Sequence, residues 1–409
     1  MKKVVVIGGG TAGWIVALFF KKFGNDYDMT IIDSSRVGIL GAGEGSTPNL
    51  QGVLHDLDIN ERDFLEKTNT TIKEANEFIN WSPNGGSFLH GFDENYRNIL
   101  YGYHFDARLT AGYFKELGVK RGIKHIDGNI THFTQKENGD VSIIHLEEGV
   151  DIECDFVFDC SGFARLVIGG LYNSEWKSYS EYLKCDSAFA YFLPQEEKLE
   201  LRTKTRTKSI AMNCGWMWQA PLKHRWGCGY VYNSNFITFD NAKLEVEEYL
   251  GRKIDVVKTF KFNPGSYKKT WINNCVSLGL AGGFLEPLEA TSIMTLIFSM
   301  HRLSHIGIEN VDKRDVYNDF VNDMNHQMVL FVKHHYNCGR TDTPFWLDNH
   351  NSKLPEDLTN ILKNNLQDIN TNEELLSKIS TNSNSPVFGI KNYRIVQLGH
   401  TFKTQKTLL

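Results

Sequence analysis

The feature that most restricts how this chain can fold is Gly8-x-Gly10-x-x-Gly13, set between an apolar run from Lys3 to Ile7 and a stretch from Trp14 to Phe23 of helical length and composition. Glycines at this spacing let a strand turn sharply into a helix, let a pyrophosphate approach the backbone, and let the helix lie close on the strand. The N-terminus of that helix offers unpaired N–H groups and the positive end of its dipole to phosphate. A second strand, Met29 to Ile32, ends in Asp33, about 20 residues beyond Gly13, the distance at which an acidic side chain takes ribose hydroxyls. Strand, helix, strand and acid are in register, so a β-α-β dinucleotide-binding unit outweighs the alternative of an ordinary glycine turn. Gly8, Gly10, Thr11, Ala12, Gly13 and Asp33 are its candidate contacts.

The fingerprint alone does not separate FAD from NAD. Two later segments bear on the choice, Phe158-Asp159-Cys160-Ser161-Gly162-Phe163 and Gly279-Leu280-Ala281-Gly282-Gly283-Phe284. Each closes a strand with small residues, and glycine turns far apart in sequence suit a long dinucleotide touched at several points. FAD fits, with Ser161, Gly282 and Phe284 as further contacts.

A length of 409 residues with 41% hydrophobic content can bury a large core. Lys+Arg 44 against Asp+Glu 49 leaves a net charge of −5, with no basic stripe, which excludes nucleic acid as an expected partner. Met1-Lys2-Lys3-Val4-Val5-Val6-Ile7-Gly8 reads as a buried strand, because glycine interrupts it before a signal-peptide core forms. No uninterrupted apolar run approaches the ~18 residues of a membrane span. The seven cysteines are odd in number and lack CxxC spacing, as expected of free thiols without zinc in a cytoplasmic protein.

Along the chain, Asn60 to Phe78 carries apolar residues at helical spacing, and Phe105 to Arg121 reads as an amphipathic helix capped by Asp106, with Leu109, Tyr113, Phe114 and Leu117 on one side. Asn138-Gly139 between Ile130 to Gln135 and Val141 to Leu146 predicts a type I′ hairpin. Ser187 to about Phe262 is aromatic-rich and predicted antiparallel, Ala290 to Phe331 is helical, and the polar tail after Pro355 is expected to add little core. The fold class is α/β. A Rossmann-type FAD-binding domain is expected from residues 1–170 and 263–310, an antiparallel sheet layer from 171–262 and a helical C-terminal part from 311–409.

Five separated runs occur in order between Val4 and Trp346: Gly8-Gly9-Gly10-Thr11-Ala12-Gly13-Trp14, Gly43-Glu44-Gly45-Ser46-Thr47-Pro48, Gly215-Trp216-Met217-Trp218-Gln219-Ala220-Pro221, Phe284-Leu285-Glu286-Pro287-Leu288-Glu289-Ala290-Thr291-Ser292-Ile293, and Arg340-Thr341-Asp342-Thr343-Pro344-Phe345-Trp346. This set resembles the flavin-dependent tryptophan halogenases. The resemblance implies a two-domain flavoprotein monooxygenase-like fold that uses FAD as FADH2, with Gly43, Glu44, Pro287 and Ile293 added to the flavin contacts. It implies a halide ion (chloride, bromide or iodide) on the backbone N–H groups of Thr291 and Ser292. Trp216 and Trp218, on one face of a strand, are implied to keep substrate off the flavin, though alone they would read as core tryptophans.

The same resemblance implies that Lys73, eight residues before Trp81, is catalytic and Glu289 its acidic partner, and that His90 and Phe92 line an aromatic substrate's pocket. An ammonium polarises hypohalous acid, whereas a neutral amine forms a haloamine; both routes stay open. Without the resemblance, Lys73 would read as a solvated helix lysine paired with Glu77, and Glu289 as a helix-start carboxylate. Relative to tryptophan-specific members, the segment after the His-x-Phe element and the C-terminal region are short, so the expected pocket is open. The substrate is then an indole, a phenol, or a larger or carrier-bound aromatic. A second nucleotide fingerprint is not apparent, so a separate NAD(P)H-dependent flavin reductase is the expected partner. The alternatives are an FAD-dependent aromatic hydroxylase of the same fold and a non-catalytic flavin-binding protein.

Overall fold

The computed structural model describes residues 1–24, 26–38, 43–92, 100–147, 149–195, 205–363 and 387–401. Lys2–Ile7 is a strand whose last four residues are buried, the pattern of a strand covered on both faces. It lies inside a six-stranded sheet in the order Trp271–Ile272, Cys275–Ser277, Phe156–Asp159, Lys2–Ile7, Tyr27–Asp33, Lys124–Asp127. Neighbours run parallel except at the Trp271–Ile272 edge. The carboxyl ends Ile7, Asp33, Asp159 and Ser277 therefore share one edge, the side on which open α/β sheets bind ligands. The first helix, Thr11–Phe23, packs on this sheet through Trp14, Ile15, Leu18 and their neighbours.

A seven-stranded sheet forms the second layer, in the order Val256–Lys261, Ser187–Pro194, Arg225–Tyr232, Gly215–Pro221, Arg206–Ala211, Ala75–Ile79, Ser87–Gly91. Antiparallel pairing dominates, as the aromatic pattern predicts, but Arg206–Ala211 pairs parallel with Ala75–Ile79. The region from 187 to 262 also contains a helix, Phe239–Leu250, that the sequence reading did not separate from the strands.

Four further expectations are corrected. Only Glu61–Lys67 of the 60–78 stretch is helical, capped by the Asn60 side chain on Asp63 N–H. Thr71–Lys73 and Ala75–Ile79 are strands, and their partners, Gly102–Phe105 and Arg206–Ala211, are remote in sequence, so local periodicity could not reveal them. Lys73 is thus a strand residue, and its supposed helical pairing with Glu77 does not arise. In the helix Ala107–Lys120, capped by Asp106, the buried face is Ala107, Thr110, Ala111, Phe114 and Gly118, while Leu109, Tyr113 and Leu117 flank it. Small residues are required there because the Trp14 ring lies against Gly118, where a Cβ would meet Cζ3 at 2.7 Å.

The Asn138-Gly139 hairpin connects the expected strands, but only Gly139 has a positive φ, +86°. Gly139 N–H donates to Lys136 O at 2.9 Å and Lys136 N–H to Asp140 O at 2.8 Å, which is a type I turn with a left-handed glycine, not type I′. The tail, finally, is part of the core. Its last helix, Ile390–Thr401, docks on Ser87–Gly91 and on the long helix Arg314–Tyr336, burying Ile390, Tyr393 and Val396. Phe388, just before it, stacks on Phe331 with centroids 4.0 Å apart. Among the described residues no helix is long and apolar enough to cross a membrane. All seven cysteines are free and buried.

Candidate functional site

The glycines of the first turn are held to their type by what surrounds them. A Cβ at Gly8, where φ is +110°, would lie 2.3 Å from Cys160 O, and one at Gly13 would lie 1.9 Å from Gly8 O. Gly9 packs on the Asp33 carboxylate in the same way. Gly10 differs: a Cβ there meets nothing within 4 Å, so its bareness leaves space on the ligand side of the turn. The helix that follows has no side-chain cap, and the Thr11 hydroxyl is buried without a partner. Unpaired N–H groups, an orphaned hydroxyl and an open glycine face are what a pyrophosphate needs, so these residues fit FAD.

The other two turns converge on the first. A Cβ at Gly279 would touch Ala12 Cβ at 3.2 Å, and the Gly162–Ala164 turn packs on Gly279–Ala281. The Ser161 hydroxyl donates to Asp159 Oδ1 at 2.6 Å and accepts from Leu166 N–H at 2.9 Å, and its backbone N–H donates to the same Asp159 oxygen at 3.1 Å, so the residue braces the turn. Gly282 closes its turn by donating to Gly279 O at 3.0 Å, and Phe284 meets Phe163 and Phe262 edge-on. Asp33 Oδ1 lies 2.7 Å from His125 Nε2, a neighbour that local sequence does not indicate. Gly43, at φ +77°, lies against Gly227, and the Glu44 carboxyl beside it is pushed up to about 7 by burial and then by Asp106.

Pro287 leads into a tight turn, Leu288–Ala290, from which the helix Thr291–Ile306 starts. Glu289 and Ala290 are consecutive left-handed residues, φ +62° and +56°. Each such non-glycine residue costs of order 1–3 kcal/mol and persists only where its surroundings impose it. The turn aims the Glu289 carboxylate inward and leaves the first N–H groups of the helix, including Thr291 and Ser292, without a side-chain cap. Ile293 buries its side chain one residue further.

Lys73 ends its strand only 1% exposed. Its Nζ has no hydrogen bond or ion pair among the described residues and lies 5.4 Å from the Phe92 ring. Burial lowers its pKa to about 8 against the opposing pull of Glu289. A Cβ at Gly45 would lie 3.2 Å from Lys73 Nζ and 3.6 Å from Ala290 Cβ, so the bare backbone of Gly45 separates the lysine from the Glu289 turn.

Glu289, 4% exposed, is held from three sides. Asn76 Nδ2 donates to Oε2, and His90 Nδ1 and His335 Nε2 lie 2.7 Å and 3.0 Å from Oε1. Burial alone would raise its pKa, but His90 and His335 outweigh it and hold the carboxyl well below the usual range, so it stays ionised. His90 is raised in turn, because Glu289 and its hydrogen bonds overcome burial. Glu289, His90 and Phe92 line a cavity of about 340 Å³, walled also by Pro48, Met294, Phe388 and Ile395.

Trp216 is buried with Nε1 donating to Glu286 Oε2 at 2.8 Å, and Tyr336 OH donates to the same oxygen at 2.7 Å. Trp218 lies beside it, less buried, with ring centroids 6.4 Å apart. Glu286, whose carboxyl is pushed up to about 7 by burial, thus holds both Trp216 and Tyr336. The sequence reading assigned no role to Asn76, His335, Asn392 or Glu286. Glu286 lay within a quoted motif and the adjacent His334-His335 pair stands out on its helix, but Asn76 and Asn392 carry no local signal.

A family profile described as tryptophan halogenase matches residues 3–99 and 93–407. Tryptophan 6-halogenase ThaL of Streptomyces albogriseolus is 29% identical over 428 residues, covering 88% of this chain and 80% of that protein. Tryptophan 7-halogenase RebH of Lentzea aerocolonigenes is 29% identical over 423 residues, covering 87% and 80%. The crystal structure of a tryptophan 6-halogenase, SttH, from Streptomyces toxytricini superposes with a TM-score of 0.88 at 25% identity, over 98% of this chain and 90% of that one.

Proposed function

The chain belongs to the tryptophan halogenase family and is a flavin-dependent halogenase, and from that premise we propose how its residues act and on what. Bound FAD, in reduced form, supplies the electrons with which dioxygen converts chloride, bromide or iodide into hypohalous acid. Gly8, Gly10, Thr11, Ala12, Gly13 and Asp33 would hold its dinucleotide arm. Gly43, Glu44, Ser161, Gly282, Phe284, Pro287 and Ile293 would hold the remainder, and the N–H groups of Thr291 and Ser292 the halide.

Lys73 donates a hydrogen bond to the oxygen of hypohalous acid, which makes the halogen electrophilic and the oxygen a better leaving group. The aromatic ring attacks the halogen, the halogen–oxygen bond breaks, and the departing oxygen takes a proton from the Lys73 ammonium and leaves as water. Glu289, ionised until that point, stabilises the cationic ring and accepts the proton released as aromaticity returns, a proton that then restores the Lys73 ammonium for the next turnover. With a pKa of about 8, Lys73 is mainly ammonium at neutral pH, which favours the hydrogen-bonded route over a haloamine.

A cavity of about 340 Å³ lined by Phe92, Phe388, Met294 and Ile395 suits an electron-rich indole or phenol. His90 would present its ring face to that aromatic, since both its nitrogens are engaged. Trp216, fixed by Glu286, supports the exclusion of substrate from the flavin side. A separate NAD(P)H-dependent reductase would supply reduced flavin.

One observation carries the reading: a buried amino group lies between Gly45 of the flavin segment and Phe92 of the aromatic cavity. The test is purified protein with FAD, a flavin reductase, NADH, air and each halide, with an indole and phenol panel read by mass spectrometry. Halogenated products that disappear in Lys73→Ala are expected. Hydroxylated products without halide, or halogenation undiminished in Lys73→Ala, would overturn it.

A further inference from the structure

The C-terminal helix Ile390–Thr401 reaches Glu289 indirectly, through Asn392 and then His90 of the strand Ser87–Gly91. Asn392 Nδ2 donates to Gly389 O at 3.3 Å, which directs its Oδ1 to His90 Nε2 at 2.8 Å. An amide oxygen only accepts, so His90 Nε2 carries a hydrogen. The other nitrogen, Nδ1, faces Glu289 Oε1 at 2.7 Å. The carboxylate also only accepts, so Nδ1 carries a hydrogen too, and His90 is an imidazolium bridging the helix to the carboxylate.

We propose that Asn392 is a positioning residue for Glu289, acting through His90: by accepting from Nε2 it keeps the ring charged and its Nδ1–H on the carboxylate. The role rests on the reading of Glu289 as the catalytic carboxylate. Phe388 and Ile395, flanking Asn392 in sequence, wall the substrate cavity, so one segment both encloses the ring to be halogenated and aims the group that accepts its proton. The tail that composition presents as peripheral is therefore coupled to the reaction.

The groups around this chain set the direction of its pH dependence. Glu289 and Asn392 favour the charged form of His90, Lys73 opposes it, and the Phe331 ring covers it at 5.5 Å. His335 shares Oε1 with His90, Asn76 donates to Oε2, and Lys391 lines the cavity from the same helix as Asn392. Removing the Asn392 acceptor withdraws one of the two partners of the imidazolium and lowers its pKa.

The experiment uses the full chain with FAD, flavin reductase, NADH, bromide and indole, and follows initial rates across the range in which imidazole titrates. Asn392 itself lines the cavity, so Asn392→Leu, similar in volume but without an acceptor, is expected to lower kcat about tenfold in addition to any change in KM for indole. It also brings a second alkaline limb into the neutral range, below the one that Lys73 sets. Asn392→Asp, which keeps an acceptor, restores kcat and removes that limb. Nitrogen NMR of 15N-histidine in the resting flavin-loaded protein reads the ring independently of turnover: His90 doubly protonated at neutral pH in the parent chain and singly protonated in Asn392→Leu. A change in KM with kcat untouched, pH profiles of kcat that do not differ among the Asn, Asp and Leu forms, or a singly protonated His90 beside an essential Glu289 would each sink the positioning role alone. Full activity in Glu289→Gln would sink the reading of the carboxylate itself.

Discussion

Gly45→Ala tests the junction between the flavin segment and the catalytic pair with one methyl group. The new Cβ would stand 3.2 Å from Lys73 Nζ and 3.6 Å from Ala290 Cβ. Only the first contact is tight, and the atom it meets is the end of a flexible chain, so a shift of a few tenths of an ångström relieves it. Gly45 is not among the residues with positive φ, so alanine meets no backbone penalty. Replacing glycine at such a position stabilises by about 0.4–1 kcal/mol through the unfolded chain, close to what the tight contact takes back. The melting temperature of the flavin-loaded protein should therefore stay within about 3 °C. Activity should not. On the proposed mechanism, a methyl group between Lys73 and the Glu289 turn would displace the amine from the hypohalous acid it polarises, and misplacement of a reacting group by about 1 Å costs about 100-fold. Bromination of indole should fall at least about tenfold on the same scale, with flavin affinity unchanged by fluorescence titration. Wild-type kcat at an unchanged melting temperature would refute the proposed placement of the Lys73 amine beside Gly45.

The pH dependence of halogenation offers a second check. Because burial lowers Lys73 to about 8, a reaction that uses the ammonium loses rate as pH rises through that value, whereas a haloamine route gains rate there; stopped-time product analysis distinguishes the slopes. Glu286 is pushed up to about 7, so its folded form binds more protons than its unfolded form between the ordinary carboxyl value and 7, and stability falls across that window as pH rises. Glu286→Gln keeps an acceptor for Trp216 and Tyr336 and removes this loss, worth about 3 kcal/mol above pH 7; denaturant melts at two pH values should show the variant gaining stability at the higher one. Gly118→Ala drives a methyl into the Trp14 ring and should cost about 1–3 kcal/mol, visible as a lower melting temperature with little change in the kcat of the folded fraction.

What the sequence by itself determined was whatever depends on neighbours within a few residues. Gly8, Gly10 and Gly13 between a strand and a helix specify a dinucleotide turn through their spacing, and the positive φ of Gly8 and the close approach of Gly13 to Gly8 O are local demands, although Cys160 also presses on Gly8. Asp106 caps its helix for the same reason, and the ordered motifs from Gly8 to Trp346 indicated the flavin and the family. Tertiary structure decided the rest. Thr71–Lys73 is a strand because Gly102–Phe105 pairs with it, and that partner outweighs an apolar pattern that reads as helical. Glu289 is kept ionised by His90 and His335, the latter on a helix beginning at Arg314, and the polar-looking tail contributes Asn392 to the same network. Hydrogen bonds and burial between segments separated by hundreds of residues leave no periodic trace in the chain, so the charge state and aim of the Glu289 carboxylate emerge only when the sheet, the long helix and the last helix have packed together.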